Sequence, residues 1–184
     1  MKVYRLKTDV ERYQYFLADP REDENLLVMD CKPKSQEWKP PGVFIYEPKH
    51  EPGDFYNFGS SLLITNPRAT ELLRIHLETA GELLPLPYED SIYYALNVTL
   101  CINCLNHERT EWILGKSTGK KIGISRYSFW YDRFSESDLF KIPETCKSEI
   151  LYVEGLKDPE DSFRFVVESN GLKGLLFEEI WVGT

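Results

Sequence analysis

Prolines restrict residues 32–59 more than any other part of the chain. Five of them fall there, at positions 33, 40, 41, 48 and 52. Because proline has no amide donor and its ring obstructs the preceding helical turn, this density excludes a long helix or a long strand. The same residues include six aromatics: Trp38, Phe44, Tyr46, Phe55, Tyr56 and Phe58. We therefore predict an irregular segment that its aromatic side chains hold in place, interrupted by one short strand at Val43–Tyr46.

The clearest helix follows this segment. Asn66 is a good N-cap, Pro67 fits the first helical position, and Gly81 is a suitable left-handed end. Apolar residues recur between them at spacings of three and four, which predicts one buried helical face. They are Ala69, Leu72, Leu73, His76, Leu77 and Ala80.

Two further segments also carry helix signals. Residues 11–17 predict a short helix. Asp158 as N-cap and Pro159 at the first position predict a second principal helix, which Gly171 would end. The apolar face of that helix would consist of Phe163, Val166 and Val167.

Short apolar or alternating segments, separated by turns, predict strands over much of the remaining chain. We predict an edge strand at 2–6, a buried strand at 26–29, a central strand at 92–105, a hairpin formed by 110–114 and 122–131, and further strands at 82–86, 150–153 and 174–182. Strands and helices do not alternate regularly. The pattern therefore predicts an α+β fold of mixed, mostly antiparallel short strands with two principal helices packed on the sheet.

Length and charge narrow the classes of function. A chain of 184 residues fits a single domain over 1–184. Its net charge is −8, which disfavours binding to nucleic acid backbones. The sequence has no apolar run long enough for a membrane span, and charges near its start replace the apolar segment of a signal peptide. We therefore expect a cytoplasmic protein with no nucleic acid or membrane partner, whose four cysteines stay reduced.

One group of residues has the types and the spacing of metal ligands. Cys101, Cys104 and His107 are spaced closely enough to hold zinc, with Cys31 or Cys146 as a fourth ligand. In a strand, however, residues three apart point to opposite faces, and free cysteine is commonly buried. We therefore favour core packing and expect no metal and no cofactor. No arrangement of nucleophile, histidine and carboxylate stands out either, so we expect no catalytic residues.

The order of several short motifs resembles a known family. Ser60-Ser61-Leu62-Leu63-Ile64-Thr65 precedes the first helix, and Gly81-Glu82-Leu83-Leu84-Pro85-Leu86 follows it. Tyr93-Tyr94-Ala95-Leu96-Asn97-Val98, Leu151-Tyr152-Val153 and Gly171-Leu172-Lys173-Gly174-Leu175-Leu176-Phe177-Glu178-Glu179 come later. Over residues 40–182 this pattern resembles immunity protein family eleven of the bacterial polymorphic toxin systems. Residues 1–39 form the N-terminal part outside the resemblance.

The resemblance implies a protein that binds a cognate toxin and neutralises it by direct contact, without catalysis. The acidic charge of the chain favours a basic toxin as partner, because complementary fields speed association. Two alternatives stay open at this point. One is a general protein-binding or regulatory module with no toxin partner, and the other is an enzyme with an unrecognised site.

The proline-rich segment supplies a candidate binding surface. It combines aromatic and acidic side chains on a backbone stiffened by proline, which lowers the ordering cost of binding. The candidate partner-binding residues are Trp38, Glu47, Glu51, Asp54 and Tyr56. The alternative is that the aromatic residues of this segment close over the core.

Overall fold

The computed structural model describes residues 1–19, 28–59 and 62–183, and these contain two α-helices and twelve strands. The helices are α1 (Pro67–Ala80) and α2 (Phe163–Ser169). The strands are β1 (Lys2–Thr8), β2 (Tyr15–Ala18), β3 (Val43–Tyr46), β4 (Phe55–Phe58), β5 (Leu62–Thr65), β6 (Gly81–Tyr88), β7 (Ser91–Val98), β8 (Glu111–Leu114), β9 (Lys121–Arg126), β10 (Leu139–Phe140), β11 (Leu151–Glu154) and β12 (Leu175–Val182).

These strands form three sheets. One has four strands in the order β10-β11-β1-β12, one has six in the order β3-β2-β4-β5-β7-β6, and β8 pairs with β9 in a hairpin. Among the described strands, β2 and β4 pair in parallel and the other pairs are antiparallel. The α+β prediction of mixed, mostly antiparallel strands with two helices is confirmed.

Helix α1 forms where its local signals place it, but Gly81 follows it in an extended conformation with φ at 172° and not in the predicted left-handed one. The Asn66 side chain accepts a hydrogen bond from the Ala69 amide at 2.8 Å, which satisfies one of the free donors of the first turn. Five of the six residues predicted for the apolar face are buried, and Leu72 is the exception, with 40% exposure. The helix packs on β6 and β7.

One hydrophobic cluster joins both large sheets to both helices. Tyr4 and Tyr152 come from the four-stranded sheet, Leu96 from the six-stranded sheet, Leu73 from α1 and Phe163 from α2. Each fully buried side chain of this size contributes about 1.5–3 kcal/mol of transfer free energy. The relative placement of the sheets and helices therefore depends on this shared core.

Gly174 allows the two large sheets to approach each other. Its φ is +96°, and a Cβ atom at this position would lie 2.6 Å from the carbonyl oxygen of Phe55. Nearby, the amides of Asp54 and Phe55 both donate to the carbonyl oxygen of Lys173. Only glycine therefore permits this close approach of the segment before the last strand.

Two predictions for the N-terminal part were wrong. Residues 2–6 are not an edge strand, since β1 lies inside its sheet and pairs with both β11 and β12. Residues 11–17 do not form a helix. Their second half belongs to β2, which pairs with β3 across a separation of about 30 residues, and this distant pairing overrides the local helical pattern.

Other elements begin or end at different residues than predicted. The strand predicted at 92–105 ends at Val98, and Cys101 and Leu105 form only isolated bridges. Helix α2 is capped by Ser162, while Asp158 precedes a separate 3₁₀ turn. The second strand of the hairpin is Lys121–Arg126 rather than 122–131. The proline-rich segment contains a second strand, Phe55–Phe58, that was not predicted.

The structure describes only the last two residues of the buried strand predicted at 26–29. Residues 26 and 27 lie outside the described residues. Val28 and Met29 have no regular secondary structure, although Met29 is buried.

Candidate protein-binding surface

The structure divides the five predicted binding residues between the core and the surface. Asp54 is 7% exposed and Tyr56 is 3% exposed. Trp38 and Glu47 are half-buried, and Glu51 is exposed. Asp54 and Tyr56 therefore have little surface to offer a partner, and the binding role of all five residues stays a prediction.

Asp54 connects the start of α1 to the segment before β12. Its carboxylate accepts hydrogen bonds from Asn66 Nδ2 at 3.0 Å, Arg68 Nη1 at 3.2 Å and the Lys173 amide at 2.8 Å. A buried carboxylate with several donors is a structural junction, because its charge is neutralised within the protein. This junction could not be predicted from the sequence. It needs Lys173, which lies 119 residues from Asp54 along the chain.

Tyr56 belongs to the core of the six-stranded sheet. Its ring packs against Phe16 at 5.2 Å and against Tyr93 at 5.5 Å between centroids. Burial, followed by the neighbouring Tyr93 hydroxyl, raises the pKa of Tyr56 well above its ordinary value. This residue follows the alternative considered for the segment, in which aromatic side chains close over the core.

Trp38, Glu47 and Glu51 occupy different places on the surface. The Trp38 Nε1–H donates to the Pro85 carbonyl at 2.8 Å, so its indole ring lies against β6. Glu51 forms an exposed ion pair with Arg12 at 3.5 Å, a type of pair that contributes little to stability. Glu47 directly follows β3 in a left-handed conformation, with φ at +53°.

An exposed apolar face lies next to Glu47. Strands β2 and β3 pair so that Tyr15 lies opposite Tyr46 and Leu17 lies opposite Phe44. Directly opposed residues share one face of a sheet. Phe16 and its neighbours point into the core, so this second set points outward. We refer to Tyr15, Leu17, Phe44 and Tyr46 as the outer β2–β3 face.

The outer β2–β3 face is rich in exposed aromatic surface. Phe44 is 41% exposed and Tyr46 is 43% exposed, and the rings of Tyr15 and Tyr46 are 5.3 Å apart. Partial burial, followed by the charges of Tyr46 and Glu47, raises the pKa of Tyr15. Glu47 therefore acts on this face directly, and its carboxylate flanks the aromatic side chains.

Sequence reasoning missed this face for a physical reason. All four residues of β3 are apolar or aromatic, so the period of two that separates an inner from an outer side is hidden. Tyr15 and Leu17 were in addition assigned to a helix. The signal that could have found the face is the position of Val43–Tyr46 as an isolated strand between prolines, which is typical of a sheet edge.

The histidines and cysteines do not converge on one centre. Cys104 is fully buried in a hydrophobic cluster, and Cys101 is half-buried. His107 is paired through Nε2 with Glu144 at 2.6 Å, and the buried His76 is paired with Asp138. Within residues 1–19, 28–59 and 62–183 there is no group of three or more His, Cys, Asp or Glu placed to hold a metal ion.

Comparisons with known proteins add no relative. No protein-family model matches the chain, and no curated protein matches it.

Neither of the helices in the described residues has the length and apolar character needed to span a bilayer.

Proposed function

We propose that this chain is an immunity protein that binds a cognate bacterial toxin and blocks it by direct contact, without catalysis. The observation that carries the proposal is the outer β2–β3 face, an exposed aromatic surface at the end of the six-stranded sheet. The class of partner comes from the motif order over residues 40–182, which resembles immunity protein family eleven. A toxin made in the same cell would be met in the cytoplasm, where we place the protein.

The outer β2–β3 face has the properties of an interface centre. Tyrosine and phenylalanine are enriched in protein interfaces, and a few such side chains supply most of the binding free energy. Here they project from paired strands rather than from a free loop. Their backbone is therefore already ordered, and binding requires little further loss of conformational entropy.

Strand β3 offers a second mode of contact. It is the terminal strand of its sheet, and β2 is its only strand neighbour among the described residues. A terminal strand can pair with an extended segment of a partner, and in β3 this segment would replace or flank the hydrogen bond that the Ile45 backbone makes with Tyr88. Backbone pairing would give affinity, and the side chains of Phe44 and Tyr46 would give specificity.

Charge suits a basic toxin. The net charge of −8 attracts a cationic partner over long distances. Glu47 lies next to the proposed contact, and the backbone of Glu51 bridges that of Tyr13, two residues before Tyr15. Such charges act mainly on the association rate, and salt screens them. We therefore expect association with the toxin to slow as ionic strength rises.

The experiment that tests this function is co-expression with the product of the neighbouring upstream gene, scored by rescue of growth and by co-purification. The double substitution Phe44→Ser/Tyr46→Ser should weaken toxin binding by at least about 100-fold, which corresponds to roughly 3 kcal/mol. Because both side chains already face solvent, the fold should remain intact by circular dichroism.

The matched control is Ile75→Ser, a side chain that is 78% exposed and belongs to α1 and not to β2 or β3. It should leave affinity unchanged. Equal affinity for the wild type and the Phe44/Tyr46 variant, with both folded, would exclude the outer β2–β3 face. Binding without growth rescue would instead favour a general binding module with no toxin partner.

A separate variant tests Glu47 and Glu51, which we refer to as the acidic flank. Reversing Glu47 and Glu51 to lysine should lower the association rate at low salt and have less effect at high salt. Asp54 is left unchanged, because reversing its buried charge would disrupt the junction with Arg68. An association rate that does not respond to the two reversals at low salt would remove the acidic flank from the interface.

A further inference from the structure

Two lysines anchor the chain segment that contains Cys31. The Lys141 ammonium donates to the carbonyl oxygen of Met29, and the Lys147 ammonium donates to that of Asp30, both at 2.9 Å. Lys141 is itself paired with Cys101 through an isolated backbone bridge. The same lysine thus links Cys101 to the residues that immediately precede Cys31.

This arrangement brings two thiols together. The Cys31 thiol lies close enough to the Cys101 thiol to be affected by it electrostatically. Cys31 adopts a left-handed backbone conformation, with φ at +67°, which few non-glycine residues adopt without a local reason. Both cysteines are half-buried, so small reagents can reach them.

A buried positive charge lies beside this thiol pair. Lys141 is 1% exposed, and no carboxylate in the described part of the chain lies within ion-pair distance of its ammonium. Asp30 acts on Lys141 electrostatically, but it forms its ion pair with Lys32 at 2.7 Å. The other groups that act favourably on the Lys141 charge are the thiols of Cys31 and Cys101. An adjacent ammonium stabilises a thiolate, which is the reactive form of cysteine.

We propose that Cys31 and Cys101 form a reversible disulfide that fastens residues 29–31 to the body of the protein. The oxidant is a small-molecule disulfide of the glutathione class. One cysteine thiolate attacks a sulfur of that disulfide, which breaks its S–S bond and releases one small thiol. The second cysteine then attacks the resulting mixed disulfide and releases a second small thiol. The two cysteines lose two electrons, and their two protons end on the two thiols released.

Either cysteine of the pair can make the first attack, and the other two cysteines compete poorly or react separately. Burial, followed by the charge of Cys101, raises the pKa of Cys31 to about 11, so Cys31 ionises reluctantly while both thiols are present. Cys104 is a poor competitor, because burial raises its pKa to about 12 and its side chain is fully inaccessible. Cys146 is exposed and would react separately.

Disulfide formation should have a measurable effect on stability. The bond closes a loop of about 70 residues that contains β3 to β7 and α1. Closing a loop of that length restricts the unfolded chain, and for a protein of this size we expect Tm to rise by about 10 °C.

The test uses the full chain with Cys146→Ser, so that the exposed thiol does not form adducts. The protein is incubated with oxidised glutathione, its remaining thiols are counted, and its peptides are mapped by mass spectrometry without reduction. The number of free thiols per chain should fall from three to one, and a peptide that joins residues 31 and 101 should appear. Tm should rise on oxidation and fall again when dithiothreitol is added.

Two further variants identify the linkage. Cys146→Ser/Cys104→Ala should form the same linked peptide, and Cys146→Ser/Cys31→Ser should show no rise in Tm. The inference is overturned by a Cys101–Cys104 linkage, by separate glutathione adducts on unlinked cysteines, or by thiols that persist after oxidation. It does not depend on the toxin, so its outcome is independent of the proposed function.

Discussion

Replacing Asp138 by asparagine tests the charged junction that fixes both helices to the four-stranded sheet. Asp138 is 2% exposed and immediately precedes β10. Its carboxylate accepts a hydrogen bond from His76 Nδ1 of α1 at 3.0 Å and one from the amide of Phe163 at the start of α2 at 3.1 Å. The Lys157 ammonium lies 3.7 Å away.

Asparagine keeps the shape of the side chain but removes its charge. A hydrogen bond to a charged group contributes about 1.5–3 kcal/mol, and asparagine offers no charge to His76 or Lys157. With its oxygen in the place of Oδ2, its NH₂ group would replace Oδ1 and face the His76 ring and the Lys157 ammonium. We expect Asp138→Asn to lower the free energy of unfolding by about 3 kcal/mol at pH 7. For a chain of this length, that corresponds to a fall in Tm of roughly 6–12 °C.

The effect should also depend on pH in a defined direction. Burial alone would raise the pKa of Asp138, but the His76 hydrogen bond, the charges of His76 and Lys157 and the Phe163 amide together hold it below its ordinary value of 3.8. A carboxyl group with a lowered pKa stabilises the fold above its unfolded pKa and loses that contribution as pH falls through the folded one. The difference between the wild type and Asp138→Asn should therefore narrow below about pH 4.

Urea unfolding followed by circular dichroism and tryptophan fluorescence, at pH 7 and at acid pH, measures both quantities. Asp161→Asn is the matched control, because Asp161 is exposed in the 3₁₀ turn before α2 and should change stability by less than about 0.5 kcal/mol. The reasoning is refuted if Asp138→Asn is as stable as this control. It is also refuted if the difference in free energy of unfolding between the wild type and Asp138→Asn grows as the pH is lowered.

Two further substitutions test local features of the fold. Gly174→Ala should destabilise by more than about 2 kcal/mol, because its Cβ would meet the Phe55 carbonyl at 2.6 Å in addition to the backbone strain of φ +96°. Gly119→Ala, with a similar positive φ but open space around it, should cost only about 1 kcal/mol in urea unfolding, and equal losses would contradict the close approach. Asn66→Ala removes both the acceptor for the Ala69 amide and a donor to the buried Asp54 carboxylate, and should cost about 2–3 kcal/mol in the same assay, while an unchanged midpoint would show that neither bond contributes.

Features that depend on neighbouring residues could be predicted from the sequence. Helix α1 has its cap, its first-turn proline and its apolar spacing within 16 residues, so each signal acts on the same local backbone. The β8–β9 hairpin is likewise encoded by two short strands and the turn between them. The α+β class follows from adding up such local elements.

The candidate binding surface was only partly accessible to the same reasoning. Aromatic and acidic residues in a proline-rich segment led to the prediction of a binding surface that includes Glu47, and the proposed outer β2–β3 face lies next to that residue. Composition could not separate Tyr56, which faces the core, from Tyr46, which faces solvent. The difference depends on which side of each strand is covered by other elements.

Tertiary structure alone decided the elements whose partners are distant in sequence. Strand β1 is internal because β11 and β12, more than 140 residues away, pair with its two edges. Residues 15–18 form a strand because β3 offers a partner, and Met29 is held beside the Cys101–Lys141 bridge because the Lys141 ammonium binds its carbonyl oxygen. A short window of sequence determines the backbone preference of its own residues. Burial and strand pairing depend instead on surfaces that distant parts of the chain bring together, so no single window contains the information that determines them.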